Sequence, residues 1–185
     1  GQMLDWLDEL GIADDTIVMY STDNGPHMNS WPDGAMTPFR NEKNSNWEGA
    51  FRVPAAVRWP GKIEAGVVSN EIISHTDWLS TLLAAAGEPD INEKLKKGYQ
   101  ADDKNFKVHI DGYNFLPHFI GEEEKGPRPG FIYFSDDGDL TALRYDNWKI
   151  VFAEQRMRGT VAIWMEPFTF LRFPKIFNLR TDPYE

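Results

Sequence analysis

The feature that most constrains this chain is a short apolar run that is followed at once by a long polar loop. Residues 16–20 carry no charge and are rich in β-branched and aromatic side chains, which is typical of a strand buried on both faces of a parallel sheet. Before the run, Met3, Leu7 and Leu10 share one helical face, and Gly11 ends that helix. A helix followed by a buried strand is half of a βαβ unit, so the sequence predicts an α/β fold.

The polar loop spans residues 21–46, and a loop of that length in a compact domain is usually functional. Asp23, Asn24 and Gly25 come just after the predicted strand, where α/β sheets place their sites. Carboxylate and amide oxygens are hard donors that suit Ca²⁺ or Mg²⁺. The same tripeptide is also typical of a tight turn, and two ligands are too few for a complete metal site.

Lys43 and His27 are the candidate substrate-binding residues of the same loop. A lysine ammonium can bind an oxyanion and offset charge that develops on a leaving oxygen, although most lysines are ordinary surface residues. His27 follows Gly25 by two positions, so it can reach the same cavity. The other histidines, His75, His109 and His118, are scattered along the chain.

The remaining sequence predicts further helices and strands. Residues 53–59 suggest a strand, Thr76 can cap a helix that stops at Gly87, and residues 90–107 form a charged surface excursion. Beyond a Gly- and Pro-rich stretch, runs joined by Asp- and Asn-containing turns predict an antiparallel meander. Its strands are expected at residues 131–135, 140–145, 148–152 and 170–179. We therefore expect an α/β core part over residues 1–125 and an antiparallel subdomain over residues 126–185.

Composition excludes several classes of partner. The formal net charge of −10 argues against nucleic acid or an anionic membrane, although a small anionic substrate responds to local groups instead. Cysteine is absent, so this segment forms no disulfide and no thiolate metal site. No apolar run approaches the roughly 20 residues that a membrane-spanning helix needs, so no membrane span is expected.

Several motifs follow one another along nearly the whole chain. They are residues 15–25, Lys43-x-x-x-Trp47-Glu48-Gly49, Arg52-Val53-Pro54, Trp59-Pro60-Gly61, Ser74-His75-Thr76-Asp77, Asp111-Gly112 and residues 177–183. Taken in this order, the motifs resemble the type I, formylglycine-dependent sulfatases of the arylsulfatase family. The resemblance implies the C-terminal part of an alkaline-phosphatase-like sulfatase core plus a small antiparallel β-sheet subdomain.

The resemblance also implies roles for individual residues. Asp23 and Asn24 match two of the four side chains that hold the divalent metal, usually Ca²⁺ with Mg²⁺ as the alternative. Lys43 matches the lysine that contacts the sulfate group and the bridging oxygen. Glu48 and Gly49 match a structural Glu-Gly-Gly turn, in which this chain has Ala50 as the third residue. His27 matches no firm role in the family.

The family's nucleophile has no counterpart in this sequence. It is a formylglycine made from Cys or Ser in a Cys/Ser-x-Pro/Ala-x-Arg motif, and that motif is absent here. We expect it upstream, in a missing N-terminal half of the same protein, so residues 1–185 alone should be inactive. The implied substrate is a small sulfate ester or a sulfated carbohydrate, and the implied location is periplasmic or secreted.

Two other functions fit parts of the pattern. One is a phosphatase or phosphodiesterase of the same superfamily, which would use two transition metals with histidine ligands. The other is a non-catalytic module that binds sulfated glycans. The pattern from Lys43 to Gly49 favours sulfate ester hydrolysis.

Overall fold

The computed structural model describes residues 1–32, 34 and 36–185. It contains two compact units, one of Gly1–Val18 with Arg58–Pro129 and one of Met19–Val57 with Gly130–Glu185. These units group residues 19–57 with the C-terminal sheet. The predicted division into residues 1–125 and 126–185 stays a prediction.

The elements alternate between short helices and strands. In chain order they are α1 (Gln2–Glu9), a 3₁₀ helix (Ala13–Asp15), β1 (Val18–Ser21), α2 (Glu48–Phe51), β2 (Ala55–Arg58), α3 (Asp77–Ala85), α4 (Ile91–Lys97), β3 (Tyr99–Ala101), β4 (Lys104–Phe106), α5 (Leu116–Phe119), β5 (Gly130–Phe134), β6 (Leu140–Tyr145), β7 (Trp148–Glu154), α6 (Ala162–Met165) and β8 (Thr169–Asn178).

In the first unit, the buried Asp77 carboxylate organises the start of α3. It accepts hydrogen bonds from Arg128 Nε and Nη2 at 2.8 and 2.6 Å, and from the backbone N–H groups of Tyr113 and Ser74 at 2.8 and 2.7 Å. Thr76 precedes the helix as predicted, but its side chain makes no capping hydrogen bond. The motif around Asp77 is therefore a structural clamp.

The second unit is built on an antiparallel sheet with the order β5-β6-β7-β8, so the predicted meander is confirmed. Its core cluster contains Trp47, Tyr133, Ala142 and Val151. Trp47 is fully buried and its Nε1 donates to the Gln155 carbonyl at 3.0 Å. The segment that carries Lys43 is thereby held against the sheet, because Trp47 lies only four residues further along the chain.

The predicted strand at residues 16–20 forms as β1, two residues later than expected. Its predicted burial on both faces is wrong for this chain, since Met19 is 44% and Tyr20 64% exposed. The reason is that β1 pairs only with β2 among the described residues, and two strands do not cover each other's faces. The charged segment at residues 90–107 lies mostly at the surface, but it contains α4 and the β3–β4 hairpin, which the sequence did not predict.

A fully buried lysine joins the sheet to α2. Lys149 Nζ lies 3.2 Å from Glu48 Oε1 and 2.7 Å from Glu185 Oε1, and it donates to the Asn46 carbonyl at 2.8 Å. Tyr133 donates its hydroxyl to Glu48 at 2.7 Å. Burial acts to raise the pKa of Glu48, but the Lys149 charge and the Tyr133 hydrogen bond outweigh it, so the pKa lies below its ordinary value.

Replacing Lys149 should therefore be costly. Lys149→Met leaves the Glu48 and Glu185 carboxylates buried without their shared cation, and we expect it to lower the free energy of unfolding by about 3–5 kcal/mol. Lys96→Met is the matched control, because Lys96 pairs with Glu93 at 2.7 Å and both side chains are exposed, so the free energy of unfolding should change little. Urea denaturation of the intact protein measures both, and equally small losses would contradict the assignment.

Candidate functional site

The loop after β1 presents two oxygen donors. Asn24 Nδ2 donates to the Gly25 carbonyl at 2.8 Å, and Thr22 Oγ1 donates to the Asn24 carbonyl at 3.1 Å. The first of these bonds fixes the orientation of the Asn24 side-chain amide, and the second holds its backbone carbonyl. Within the described part of the chain, Asn24 Oδ1 and the exposed Asp23 carboxylate accept no hydrogen bond. The tripeptide is thus a turn, as one interpretation of the sequence expects, and it also leaves two hard oxygen donors available.

Two glycines bring this loop against the turn at Glu48. Gly25 donates its N–H to the Ala50 carbonyl at 2.7 Å, and a Cβ on Gly25 would lie 1.8 Å from the Gly49 oxygen. A Cβ on Gly49 would in turn lie 2.1 Å from the Asn41 oxygen. Both positions therefore require glycine, because backbone atoms occupy the space of a side chain. Ala50 lies in α2 and is accommodated.

Lys43 is fixed through its backbone while its ammonium stays unpaired. Its N–H donates to the Pro26 carbonyl at 2.9 Å, which ties it to the loop that carries Asp23 and Asn24. The flanking Asn41 and Asn44 have positive φ angles of 65° and 73°, a conformation that asparagine tolerates. Lys43 Nζ makes no hydrogen bond or ion pair with any described residue. The lysine is half-buried, so it is less free than an ordinary surface lysine.

His27 lies in the same loop and contacts a residue that the sequence did not single out. Its Nε2 accepts a hydrogen bond from Trp164 Nε1 at 3.1 Å, and the two rings lie 5.6 Å apart. Trp164 belongs to α6, 137 residues further along the chain, so no local pattern could have indicated the pair. Because Nε2 is the acceptor, the neutral ring carries its proton on Nδ1.

Glu42, beside Lys43, is a second residue that the sequence did not predict. Its side chain is fully buried. Oε1 accepts from the Thr160 N–H at 2.6 Å, and Oε2 accepts from the Met28 N–H. Its own N–H donates to Asn41 Oδ1 at 2.9 Å. The only signal in the sequence was an acidic residue beside a candidate lysine.

The two oxygen donors fit a divalent cation such as Ca²⁺ in kind but not in number. Ca²⁺ takes about six to eight oxygen ligands, and Asp23 and Asn24 supply two. Among residues 1–32, 34 and 36–185, no group of three or more His, Cys, Asp or Glu side chains is placed to hold a metal.

Over the same residues, no helix combines the length and the apolar character needed to cross a membrane.

A sequence model of the sulfatase family matches residues 1–88. Human N-acetylgalactosamine-6-sulfatase is 34% identical over 202 aligned residues, covering 100% of this chain and 35% of that protein. The arylsulfatase of Hemicentrotus pulcherrimus is 30% identical over 159 residues, covering 85% of this chain and 26% of that protein. The chain thus spans roughly a third or less of the curated relatives it matches.

A solved structure is similar along the entire chain. The crystal structure of PsFucS1 sulfatase from Pseudoalteromonas sp. has a TM-score of 0.79 at 28% identity, covering 100% of this chain and 35% of that one. The likeness confirms the predicted α/β, alkaline-phosphatase-like fold class. Together with the sequence matches, it confirms the predicted resemblance to the C-terminal part of the sulfatases.

Proposed function

We propose that the intact protein hydrolyses sulfate esters to an alcohol and inorganic sulfate, and that this chain supplies part of the active site. The observation that carries the proposal is the state of Lys43. Its backbone is bonded to the loop that carries Asp23 and Asn24, while its ammonium has no partner among the described residues. An unpaired ammonium and unpaired oxygen donors on segments whose backbones are bonded to each other are candidates for a site that binds ligands.

Asp23 and Asn24 are proposed to hold a divalent cation, Ca²⁺ with Mg²⁺ as the alternative. A bound cation of this kind supplies Lewis-acid polarisation of sulfate oxygens. The support is the available Asp23 carboxylate and the Asn24 amide, whose orientation is fixed by the bond to the Gly25 carbonyl. In this proposal both residues position charge and transfer no proton.

Lys43 is proposed to stabilise the leaving group. As the nucleophile's oxygen bonds to sulfur, the bond between sulfur and the leaving-group oxygen breaks. The electron pair of that bond goes to the leaving-group oxygen. The Lys43 ammonium can donate a hydrogen bond there and offset the developing charge. We propose that the nucleophile is a formylglycine from outside residues 1–185.

His27 is proposed to contact the substrate. With Nε2 accepting from Trp164, the neutral ring presents the Nδ1 proton as a donor for a sulfate oxygen. The substrate is accordingly proposed to be a small sulfate ester or a sulfated carbohydrate. The sulfated carbohydrate is consistent with the names of relatives such as N-acetylgalactosamine-6-sulfatase.

Removing the Lys43 ammonium should slow esters with basic leaving groups most. In the intact enzyme we expect Lys43→Ala to lower kcat by about 10²–10³ for alkyl or carbohydrate sulfates and by less for nitrophenyl sulfate. A plot of log kcat against leaving-group pKa should become steeper, with metal content unchanged. Lys104→Ala, at an exposed lysine in β4, is the control. Parallel plots would mean that Lys43 binds sulfate uniformly, and an unchanged rate would make it a surface lysine.

Removing the Asp23 carboxylate should weaken metal binding. We expect Asp23→Ala to lower the Ca²⁺ content of the intact protein, measured by mass spectrometry of the metal after dialysis, because it removes a charged oxygen ligand. Asp136→Ala, in an exposed turn, should retain it. Full Ca²⁺ content in Asp23→Ala would contradict the assignment, and two Zn²⁺ or Mn²⁺ ions per protein would favour the phosphatase alternative.

A further inference from the structure

Glu42 is a buried carboxylate that is held by hydrogen bonds, without an ion pair to any described residue. Its side chain is 0% exposed, and no lysine, arginine or histidine among the described residues forms an ion pair with it. Burying a carboxylate costs much free energy unless hydrogen bonds replace its water. Here the replacement consists of backbone N–H groups, one on each carboxylate oxygen. Hydrogen bonds from N–H groups to an ionised carboxylate are stronger than those to a neutral acceptor. Glu42 therefore holds the two segments that supply these N–H groups more strongly than a neutral side chain would.

The two N–H groups belong to segments that lie far apart in the sequence. Met28 follows His27 in the loop that carries the proposed metal ligands. Thr160 lies in the connection between β7 and β8, just before α6. Packing at this junction is tight, since a Cβ on Gly159 would lie 2.3 Å from Glu42 Oε1. Glu42 thus bridges two loops at the position directly before Lys43.

Further hydrogen bonds hold the β7–β8 connection at the same place. Asn41 Nδ2 donates to the Met157 carbonyl at 2.7 Å. Gln155, itself buried, donates from Nε2 to the Ile163 carbonyl at 3.2 Å and to the Glu166 carbonyl at 2.8 Å, which fixes both ends of α6. From α6, Trp164 reaches His27. The connection is therefore held at several points, against Asn41, Glu42 and His27.

We infer that Glu42 is a positioning residue for sulfate ester hydrolysis, which acts by fixing the Lys43 backbone between the metal-binding loop and the β7–β8 connection. The inference rests on the proposed function of Lys43. Glu42 contacts neither substrate nor metal in this role. Its carboxylate holds the N–H groups of Met28 and Thr160, so the backbone that carries the Lys43 side chain has a fixed position.

The variant Glu42→Gln tests the inference in the intact enzyme. An amide has one acceptor oxygen, so one of the two N–H groups loses its partner and the junction loosens. Displacement of a reactive group by about 1 Å can cost roughly 10² in rate. We therefore expect kcat for basic leaving groups to fall by about that factor, KM to change less, and the plot of log kcat against leaving-group pKa to steepen as in Lys43→Ala. In the double variant, Glu42→Gln should add little to the loss from Lys43→Ala.

A matched control separates positioning from simple stability. Glu154 is also buried in the second unit, but it pairs with Arg156 and Lys175. Glu154→Gln should lower Tm without changing the leaving-group slope. Glu42→Asp, which keeps the charge on a shorter side chain, should lie between wild type and Glu42→Gln and is assayed if Glu42→Gln does not fold.

Two results would overturn the inference. The first is a folded Glu42 variant whose plot of log kcat against leaving-group pKa keeps the wild-type slope and whose loss in kcat multiplies that of Lys43→Ala. The second is failure of both Glu42 variants to fold. Either result would make Glu42 purely structural. If Lys43→Ala itself has no effect on rate, the proposed function of Lys43 fails first. The Lys43 series therefore distinguishes failure of the proposed function from failure of this inference.

Discussion

The contact between the Gly25 backbone and the Gly49 carbonyl is the constraint on which the candidate site depends. There is no room for a side chain on Gly25, because a Cβ at that position would lie 1.8 Å from the Gly49 oxygen. The hydrogen bond from Gly25 to Ala50 then holds the two segments in register at 2.7 Å. Through this contact and the bond from Lys43 to Pro26, one short loop and one lysine are fixed relative to each other by backbone atoms alone.

Around this contact the polar side chains fall into two groups. Glu42 and Glu48 are buried and hydrogen-bonded, and each holds segments that are distant in the sequence. The Asp23 carboxylate and the Lys43 ammonium have no hydrogen-bond or ion-pair partner among the described residues. Buried polar groups normally have hydrogen-bond partners, so these buried, hydrogen-bonded residues have a structural role. The unpaired ones remain available for a ligand, which is the physical basis for assigning them to the chemistry.

The sequence predicted those parts of the fold that local patterns specify. The meander followed from short apolar runs bounded by Asp, Asn and Gly turns, and α1 followed from its amphipathic spacing. The burial of Lys149 was not predictable, because a lysine is normally exposed and only its pairing with Glu48 and Glu185 makes burial tolerable. The strand β1 was expected to be buried because its composition resembles that of a central strand, but exposure depends on neighbouring elements.

The residues of the candidate site stay a prediction from the sequence, and the residues that support them in the structure were not predicted. Asp23, Asn24, His27 and Lys43 were indicated by residue type, spacing and family resemblance. Trp164, the partner of His27, and Thr160, the partner of Glu42, come from the connection between β7 and β8, more than a hundred residues away, and nothing in their local sequence marks them. Contacts of this kind depend on how the chain folds back on itself, which periodicity and turn chemistry do not determine.

The most direct test of this account is to place a methyl group at the backbone contact and measure both metal content and sulfate ester turnover in the intact protein. Gly25→Ala should reduce both, because the loop that carries Asp23 and Asn24 must move away from the Gly49 carbonyl. Gly138→Ala is the control, since a Cβ there meets open space; its φ of 83° should cost about 1–2 kcal/mol of stability but leave metal content and turnover unchanged. Wild-type metal content and turnover in Gly25→Ala would contradict the account.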